Sequence, residues 1–207
     1  MKGGEKFTVH MKRITGFTLV ELLIVIALLG VLAAAVLAAI NPLEQANRAR
    51  DTRMRSDASQ LLAAIDRYYV SIGHFPWFAP GQDDNGAYGF ISAATHGVAG
   101  PGLCGTDCTG TNYGLLISNN ELKSEFMRRD FVVATVDTDM LYIGKGNAGT
   151  TNIAVSVYAC WVPKSKSERS KATKAITVGS PTMSDVTDCA TRSYADLGTS
   201  CVACLPQ

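Results

Sequence analysis

Residues 12–29 read K-R-I-T-G-F-T-L-V-E-L-L-I-V-I-A-L-L, in which two cations and a glycine precede an apolar run. The run contains one acid, Glu21, close to its start, and no charged residue follows from Leu22 to Leu43. A helix that rises about 1.5 Å per residue over this length crosses the roughly 30 Å hydrocarbon core of a bilayer. The stretch therefore predicts a membrane-spanning helix with a single carboxylate near its beginning.

Glu21 is the residue of this run that calls for an explanation. Burying a carboxylate at the edge of the hydrocarbon costs free energy, about 1 to 3 kcal/mol depending on depth, so an acid there is expected to have a cationic partner. Cleavage of the chain between Gly16 and Phe17 would create a new ammonium group four residues before the acid. The sequence therefore predicts that proteolysis supplies the partner of Glu21.

The sequence G-F-T-L-V-E-L-L behind a short basic leader resembles the class III signal of type IV prepilins and pseudopilins, and the resemblance extends roughly over residues 11–72. It implies that a membrane peptidase cuts after Gly16 on the cytoplasmic side and that the new amino-terminal residue, Phe17, is N-methylated. It also implies that Glu21 acts as the assembly carboxylate, which meets the amino terminus of a neighbouring subunit in a filament.

The resemblance further implies partners and a location. The expected partners are other copies or related pilins in a filament, the prepilin peptidase and methylase, an inner-membrane assembly platform and, before assembly, the lipid bilayer. The expected location is the cytoplasmic (inner) membrane, crossed once with the C-terminal domain outside, and then an extracellular or periplasmic filament. Basic residues flank the apolar run on both sides, so charge counting leaves the orientation open and the resemblance decides it.

Two other interpretations of the apolar run remain open. In the first, the run is an ordinary secretory signal, removed after Ala35 or Ala39 by a peptidase that requires small residues. In the second, it is a plain single-pass anchor with an incidental acid. The amino-terminal residue of the mature chain separates the three interpretations, because a start at Phe17 is expected only for a prepilin.

Beyond Pro42 the pattern changes from uniformly apolar to amphipathic, and the proline predicts a brief break in the helix at Asn41. Apolar residues then recur at spacings of three and four, as expected for one face of a helix that packs on a domain. They are Met54, Ala58, Leu61, Ile65, Tyr68 and Ile72. Gly73 and the prolines and glycines beyond it predict the end of this helix.

Strand patterns follow in the second half of the chain and predict an antiparallel meander. The predicted strands are residues 131–136, 140–143, 153–162 and 175–178. One long helix laid across such a sheet gives an α+β fold, which is also similar to a pilin head. The predicted segments are a cytoplasmic leader that is removed (1–16), a transmembrane or filament-core helix (17–41), an amphipathic helix that packs on the head (42–72), an irregular connecting region (73–130) and an antiparallel β-sheet with a disulfide-stapled C-terminal region (131–207).

All six cysteines lie beyond the membrane segment, which is typical of a domain that folds in an oxidising compartment. They are Cys104, Cys108, Cys160, Cys189, Cys201 and Cys204. Structural disulfides are the favoured interpretation, with the pairing undetermined by the sequence. Two alternatives are a redox pair in Cys201-x-x-Cys204 and a zinc site formed by Cys104 and Cys108 with that pair. The resemblance implies a disulfide that staples the C-terminal segment to the sheet.

The remaining chemistry is sparse, since no nucleophile elbow, zinc-protease or phosphate-loop motif occurs. A net charge of +1 gives no general attraction to nucleic acid. A calcium loop at residues 81–86 and DNA contact by the basic segment 164–174 are weaker interpretations than a solvated turn and an exposed connection.

We therefore expect a structural, non-enzymatic subunit of a type IV pilus or related pseudopilus, without a cofactor. The alternatives are a membrane-anchored or pilus-tip binding module, such as an adhesin or DNA receptor using loops in 76–120, and an anchored thiol oxidoreductase.

Overall fold

The structure is a computed structural model that describes residues 16–39, 41–78, 86–97, 100–146, 156–189 and 191–206. Its chain divides between Pro42 and Leu43 into two compact units. Most of the expected leader, residues 81–85 of the candidate calcium loop and the first part of the strand predicted at 153–162 lie outside the described residues.

The first unit contains α1 (Leu19–Ala39), a helix that is apolar on every side. Within the described residues, Leu19–Leu37 is the one helical stretch long and apolar enough to cross a membrane, and none of it is buried. Asn41 is not helical, which confirms the break predicted before Pro42.

The second unit, residues 43–207, is here called the head. Its long helix, α2 (Pro42–Ile72), buries Met54, Ala58, Leu61, Ile65 and Tyr68, which confirms five of the six positions of the predicted stripe. Ile72, the sixth position, is exposed because the helix ends there. Gly73 follows with a φ of +89° and donates its N–H to Tyr69 O at 2.8 Å, a common glycine termination of a helix.

The strands of the head form two antiparallel sheets. They are β1 (Tyr88–Ser92), β2 (Leu141–Lys145), β3 (Val157–Trp161), β4 (Lys174–Ile176), β5 (Met183–Asp185) and β6 (Ala203–Leu205). The main sheet has the order β1-β2-β3-β6, and β4 pairs with β5 in a separate ribbon. The three-strand meander β1-β2-β3 and the packing of α2 on it confirm the predicted α+β, pilin-like fold.

The core lies between α2 and one face of the main sheet. The buried stripe of α2 belongs to the same apolar cluster as Leu141, Ile143, Val157, Ala159 and Trp161, which alternate along β2 and β3. The intervening residues Tyr142 and Cys160 point to the other face, where they pack with a smaller cluster. The two faces of β3 therefore belong to two separate apolar clusters.

The prediction of a strand at residues 131–136 is wrong. Residues Asp130–Val133 form a single helical turn, α4, that buries Phe131 and Val132 and leaves Val133 exposed. A short apolar run carries too few residues to distinguish a period of two from one of 3.6, so the pattern alone is ambiguous. The other short helical segments are α3 (Leu115–Ser118), α5 (Lys166–Arg169) and 3₁₀ turns at Ser124–Arg128 and Asp137–Asp139.

Two further expectations about the sheet need correction. The connection 73–130, expected to be irregular, contributes the edge strand β1. The segment Val178–Ser180 runs along the outer edge of β1 and forms backbone hydrogen bonds with Phe90. The strand predicted at 175–178 is β4, but it belongs to the separate ribbon. The fourth strand of the main sheet is β6, a three-residue segment too short to show a periodicity in the sequence.

Four aromatic rings secure the segment that follows α2. Tyr69 stacks on Phe75 with 4.5 Å between ring centroids, Phe75 on Trp77 at 4.9 Å, and Trp77 on Tyr88 at 4.3 Å. Offset aromatic pairs at such separations add to the stabilisation from burial alone. The stack therefore ties the end of α2 to the start of β1.

Acids on the first half of α2 hold a distant loop. Asp51 is 2% exposed, and its carboxylate accepts the backbone N–H groups of Lys164 at 3.0 Å and Ser165 at 2.7 Å. Glu44 accepts the N–H of Lys166 at 3.1 Å. Hydrogen bonds to a buried charged group contribute about 1.5 to 3 kcal/mol each, so Asp51 in particular fixes the loop after β3 against α2.

Asp57 provides a pH-dependent test of this packing. Burial raises the pKa of Asp57, the nearby Asp130 adds to the rise, and Arg129 and Arg53 oppose it. A pKa raised in the folded state means that stability is greatest while the acid is protonated and falls as pH rises through the folded pKa. Asp57→Asn should remove this fall, so the variant should gain stability relative to the wild type as pH rises above the ordinary Asp pKa of about 3.9.

The measurement is urea unfolding of the detergent-solubilised chain at several pH values. Asp66→Asn, which changes an exposed acid on the same helix, serves as the control for the loss of one carboxylate from α2. A parallel decline of Asp57→Asn and wild type with rising pH would contradict the assignment.

Candidate functional site

The candidate site is the beginning of α1, where the structure places Gly16, Phe17 and Thr18 before the first helical residue, Leu19. Phe17 is 76% exposed, and a side chain added at Gly16 would have no neighbour within 4 Å. The bond expected to be cleaved, between Gly16 and Phe17, therefore lies in exposed, non-helical chain next to the helix.

Thr18 and Glu21 form a reciprocal cap at this helix start. The backbone N–H of Glu21 donates to Thr18 Oγ1 at 3.2 Å, and the backbone N–H of Thr18 donates to Glu21 Oε2 at 3.1 Å. The Thr18 hydroxyl also donates to the same carboxylate oxygen at 2.9 Å. This is a capping box, which satisfies two N–H groups that the first turn of a helix leaves without a partner.

The capping box is the part of the site that our sequence interpretation missed. Its signal is the spacing Thr18-x-x-Glu21 directly before an apolar run, which can be recognised without a structure. The sequence interpretation treats Glu21 only as an acid in an apolar run that lacks a cation. The structure adds that both hydrogen bonds from Thr18 end on Oε2, so that, within the described residues, Oε1 stays open to another donor.

The comparisons with known proteins address this same segment. A family model described as the prokaryotic N-terminal methylation motif matches residues 11–37. The chain carries the amino-terminal signal of type IV pilins and pseudopilins. The match covers the pilin-type signal and most of α1, and it does not extend into the head. No curated protein and no solved structure matches the chain.

The pilin-type signal and the apolar, exposed α1 together fit a precursor that is anchored in the inner membrane. They also imply processing by a prepilin peptidase and assembly in general terms. The individual roles of Gly16, Phe17 and Glu21 remain predictions, because the match assigns no function to single residues.

The six cysteines form three disulfides within the head. Cys104 pairs with Cys108, Cys160 with Cys204, and Cys189 with Cys201. The pair Cys160–Cys204 joins directly opposed residues of β3 and β6, so it staples the C-terminal strand to the sheet, as the resemblance to pilins implies. Cys201 and Cys204 have different partners, and the thiolates required for the alternative zinc site are all used in disulfides.

The basic segment 164–174 makes several contacts within the head. Three of its five cations pair with acids, namely Lys164 with Asp139, Lys171 with Glu168 and Lys174 with Asp185, and a fourth, Arg169, lies over the ring of Tyr194 at 4.2 Å. Phosphate binding depends on cations that can be offered to the ligand. These contacts leave DNA binding by this segment a prediction without support from the geometry.

The disulfides yield a prediction about stability. In the chain-entropy description, a crosslink stabilises more when it closes a longer loop. Cys160 and Cys204 are separated by 44 residues, but Cys104 and Cys108 by only 4. Replacing both members of each pair with Ser should therefore cost about 4 kcal/mol for Cys160 and Cys204 and about 2 kcal/mol for Cys104 and Cys108.

Denaturant unfolding of the detergent-solubilised chain measures both costs. Intact mass before and after reduction is the accompanying check, because opening three disulfides adds six hydrogens. Equal losses for the two pairs would show that loop length does not govern their contributions.

Proposed function

We propose that this chain is a structural, non-enzymatic subunit of a type IV pilus or a related secretion pseudopilus. The supporting observation is the coincidence of two features: the methylation motif at residues 11–37 and a helix, α1, whose residues Leu19–Leu37 are not buried by any of the described residues. Apolar helices of this kind need lipid or protein around them, and a filament core provides the second environment after the bilayer provides the first.

Processing has a defined role in the proposed mechanism. Cleavage between Gly16 and Phe17 removes the basic leader and creates an ammonium group at the amino terminus. In the intact chain that nitrogen is an uncharged amide, so the cut changes the charge beside Glu21. An ammonium group near a carboxylate in a medium of low dielectric constant is strongly attracted to it.

Glu21 then has two functions in the proposal, one within its own chain and one between chains. Its Oε2 atom caps α1 through Thr18. Its Oε1 atom accepts a hydrogen bond from the methylated ammonium group of Phe17 of a neighbouring subunit during assembly. Pairing the two charges reduces the cost of carrying each of them at the end of an apolar helix, because a buried ion is tolerated chiefly when it is paired.

Gly16→Leu tests the cleavage site. The substitution should block removal of the leader, because the peptidase of the family cuts after this glycine, and the full-length precursor should accumulate in the membrane. The open surroundings of Gly16 make a folding defect an unsuitable explanation for such a block. Amino-terminal sequencing and intact mass of the purified chain give the result, and a variant that still begins at Phe17 would contradict the site.

Glu21→Gln and Glu21→Ala separate the two functions of the acid. Glutamine preserves the acceptor oxygen of a capping box and removes the negative charge of Glu21. Alanine removes the acceptor oxygen as well as the charge. If charge pairing drives assembly, both variants should be cleaved like the wild type and both should lose at least about tenfold of their incorporation into filaments. This loss corresponds to roughly 1.4 kcal/mol or more.

The measurement is the amount of subunit in sheared filaments relative to the membrane pool. Thr18→Val is the matched control, because it removes the hydroxyl of the cap and leaves the charge of Glu21. Full incorporation of Glu21→Gln would reduce the role of Glu21 to helix capping and would refute the proposed charge pairing.

A further inference from the structure

Two exposed surfaces of the head that combine apolar and charged side chains lie at different places along α2. The first, here called the Val70 face, consists of Asp66, Tyr69 and Val70, which share one side of the helix. Val70 is 84% exposed, and Tyr69 is held in place by its stack on Phe75. A large apolar side chain with so little cover is a common mark of an interaction site when it has apolar neighbours.

The second surface is a groove of about 580 Å³ between α2 and the segment that contains α4. It is here called the Val133 groove. Two exposed valines line it, Val133 at 66% and Val136 at 51% exposure, together with Arg53, Arg128 and Arg129. The groove is large enough to receive several side chains of a partner.

The charges of the two surfaces are complementary. The groove lining has five cations and three acids, and each of these acids already has an ion pair there. Arg128 has no ion pair with another described residue, and the same holds for Asp66 on the Val70 face. One surface thus carries an exposed acid beside a valine, and the other carries an exposed guanidinium in a groove with two valines.

Spacing along α2 determines what kind of contact the two surfaces can make. Met54 lines the groove and Val70 lies 16 positions later, which corresponds to about 24 Å along the helix. The surfaces are different patches of one chain, so a contact between them is heterologous. Heterologous contacts add copies in one direction and produce rings or open filaments instead of closed pairs.

We propose that the Val70 face of one copy docks into the Val133 groove of the next copy, with Asp66 beside Arg128 of that second copy. This inference rests on the proposed function as a filament subunit, and it deepens that function by assigning the contact between heads. The valines supply apolar burial, and the Asp66–Arg128 pair sets the orientation, since charged groups give an interface its specificity more than its affinity.

A cysteine pair tests the contact in the full-length chain in membranes and filaments. All six native cysteines are in disulfides, so Val70→Cys and Val133→Cys introduce the reactive thiols. With an added oxidant, the double variant should form a ladder of dimers, trimers and longer oligomers, because each copy carries both halves of the contact. Neither single variant should form species above a dimer.

Val178→Cys combined with Val133→Cys is the matched control. Val178 is another exposed valine of the head, at 54%, and belongs to neither surface, so this pair should yield no ladder. A missing ladder or dimers alone from the Val70 and Val133 pair would overturn the contact, and so would an equal ladder from the control.

Charge reversal tests the orientation. Asp66→Arg alone and Arg128→Asp alone should each reduce the ladder by about fivefold, and the two together should restore it, since an exposed ion pair is worth up to about 1 kcal/mol. Failure of the double reversal to restore the ladder would overturn the pairing.

Filament recovery is scored separately: a wild type without filaments contradicts the proposed function, whereas normal filaments without a ladder contradict this contact alone.

Discussion

The need of α1 for apolar surroundings is the constraint on which the rest of the molecule depends. Every described residue from Gly16 to Leu37 is exposed, and the helix has no polar face that could meet water. At about 25 cal/mol per Å² of apolar surface, exposing such a helix to water would outweigh the net stability of an ordinary domain. The chain must therefore keep α1 in lipid or among other apolar helices.

The head meets a different requirement, because in the proposed assembly it has to remain folded while α1 moves from lipid to protein surroundings. Its core is closed by α2 on one face of the sheet. Acids of α2 fix the loop after β3, and of the three disulfides one joins β3 to β6 and two lie in loops. The folding of the head is in this way separated from the environment of the membrane segment.

Much of this organisation could be predicted from the sequence, because it depends on periodic patterns. The uniform apolarity of α1, the stripe of α2 and the alternation along β3 each extend over enough residues to identify an element. The failures have local causes: 131–136 is too short to distinguish a strand from a helical turn, and β6 is three residues long. The composition of the run identifies Glu21 as unusual. The spacing Thr18-x-x-Glu21 also indicates a capping box, which the sequence interpretation does not include.

The tertiary contacts of single polar residues could not be predicted. Asp51 accepts N–H groups more than a hundred residues away, and nothing in its neighbouring sequence indicates that partner. The disulfide pairing has the same character, since six cysteines permit 15 combinations and only the fold brings particular sulfurs together. Cys160 and Cys204 become neighbours only when β6 aligns with β3.

This last crosslink has a mechanical consequence. Tension applied to the C-terminal end of the chain passes from Cys204 directly to Cys160 through a covalent bond, so the intervening segment carries none of the load. Unzipping of the last strand, which needs little force in a sheet held by hydrogen bonds alone, is thereby blocked. The 44-residue separation corresponds to roughly 150 Å of extended chain that stretching cannot release until the sulfur bridge is reduced.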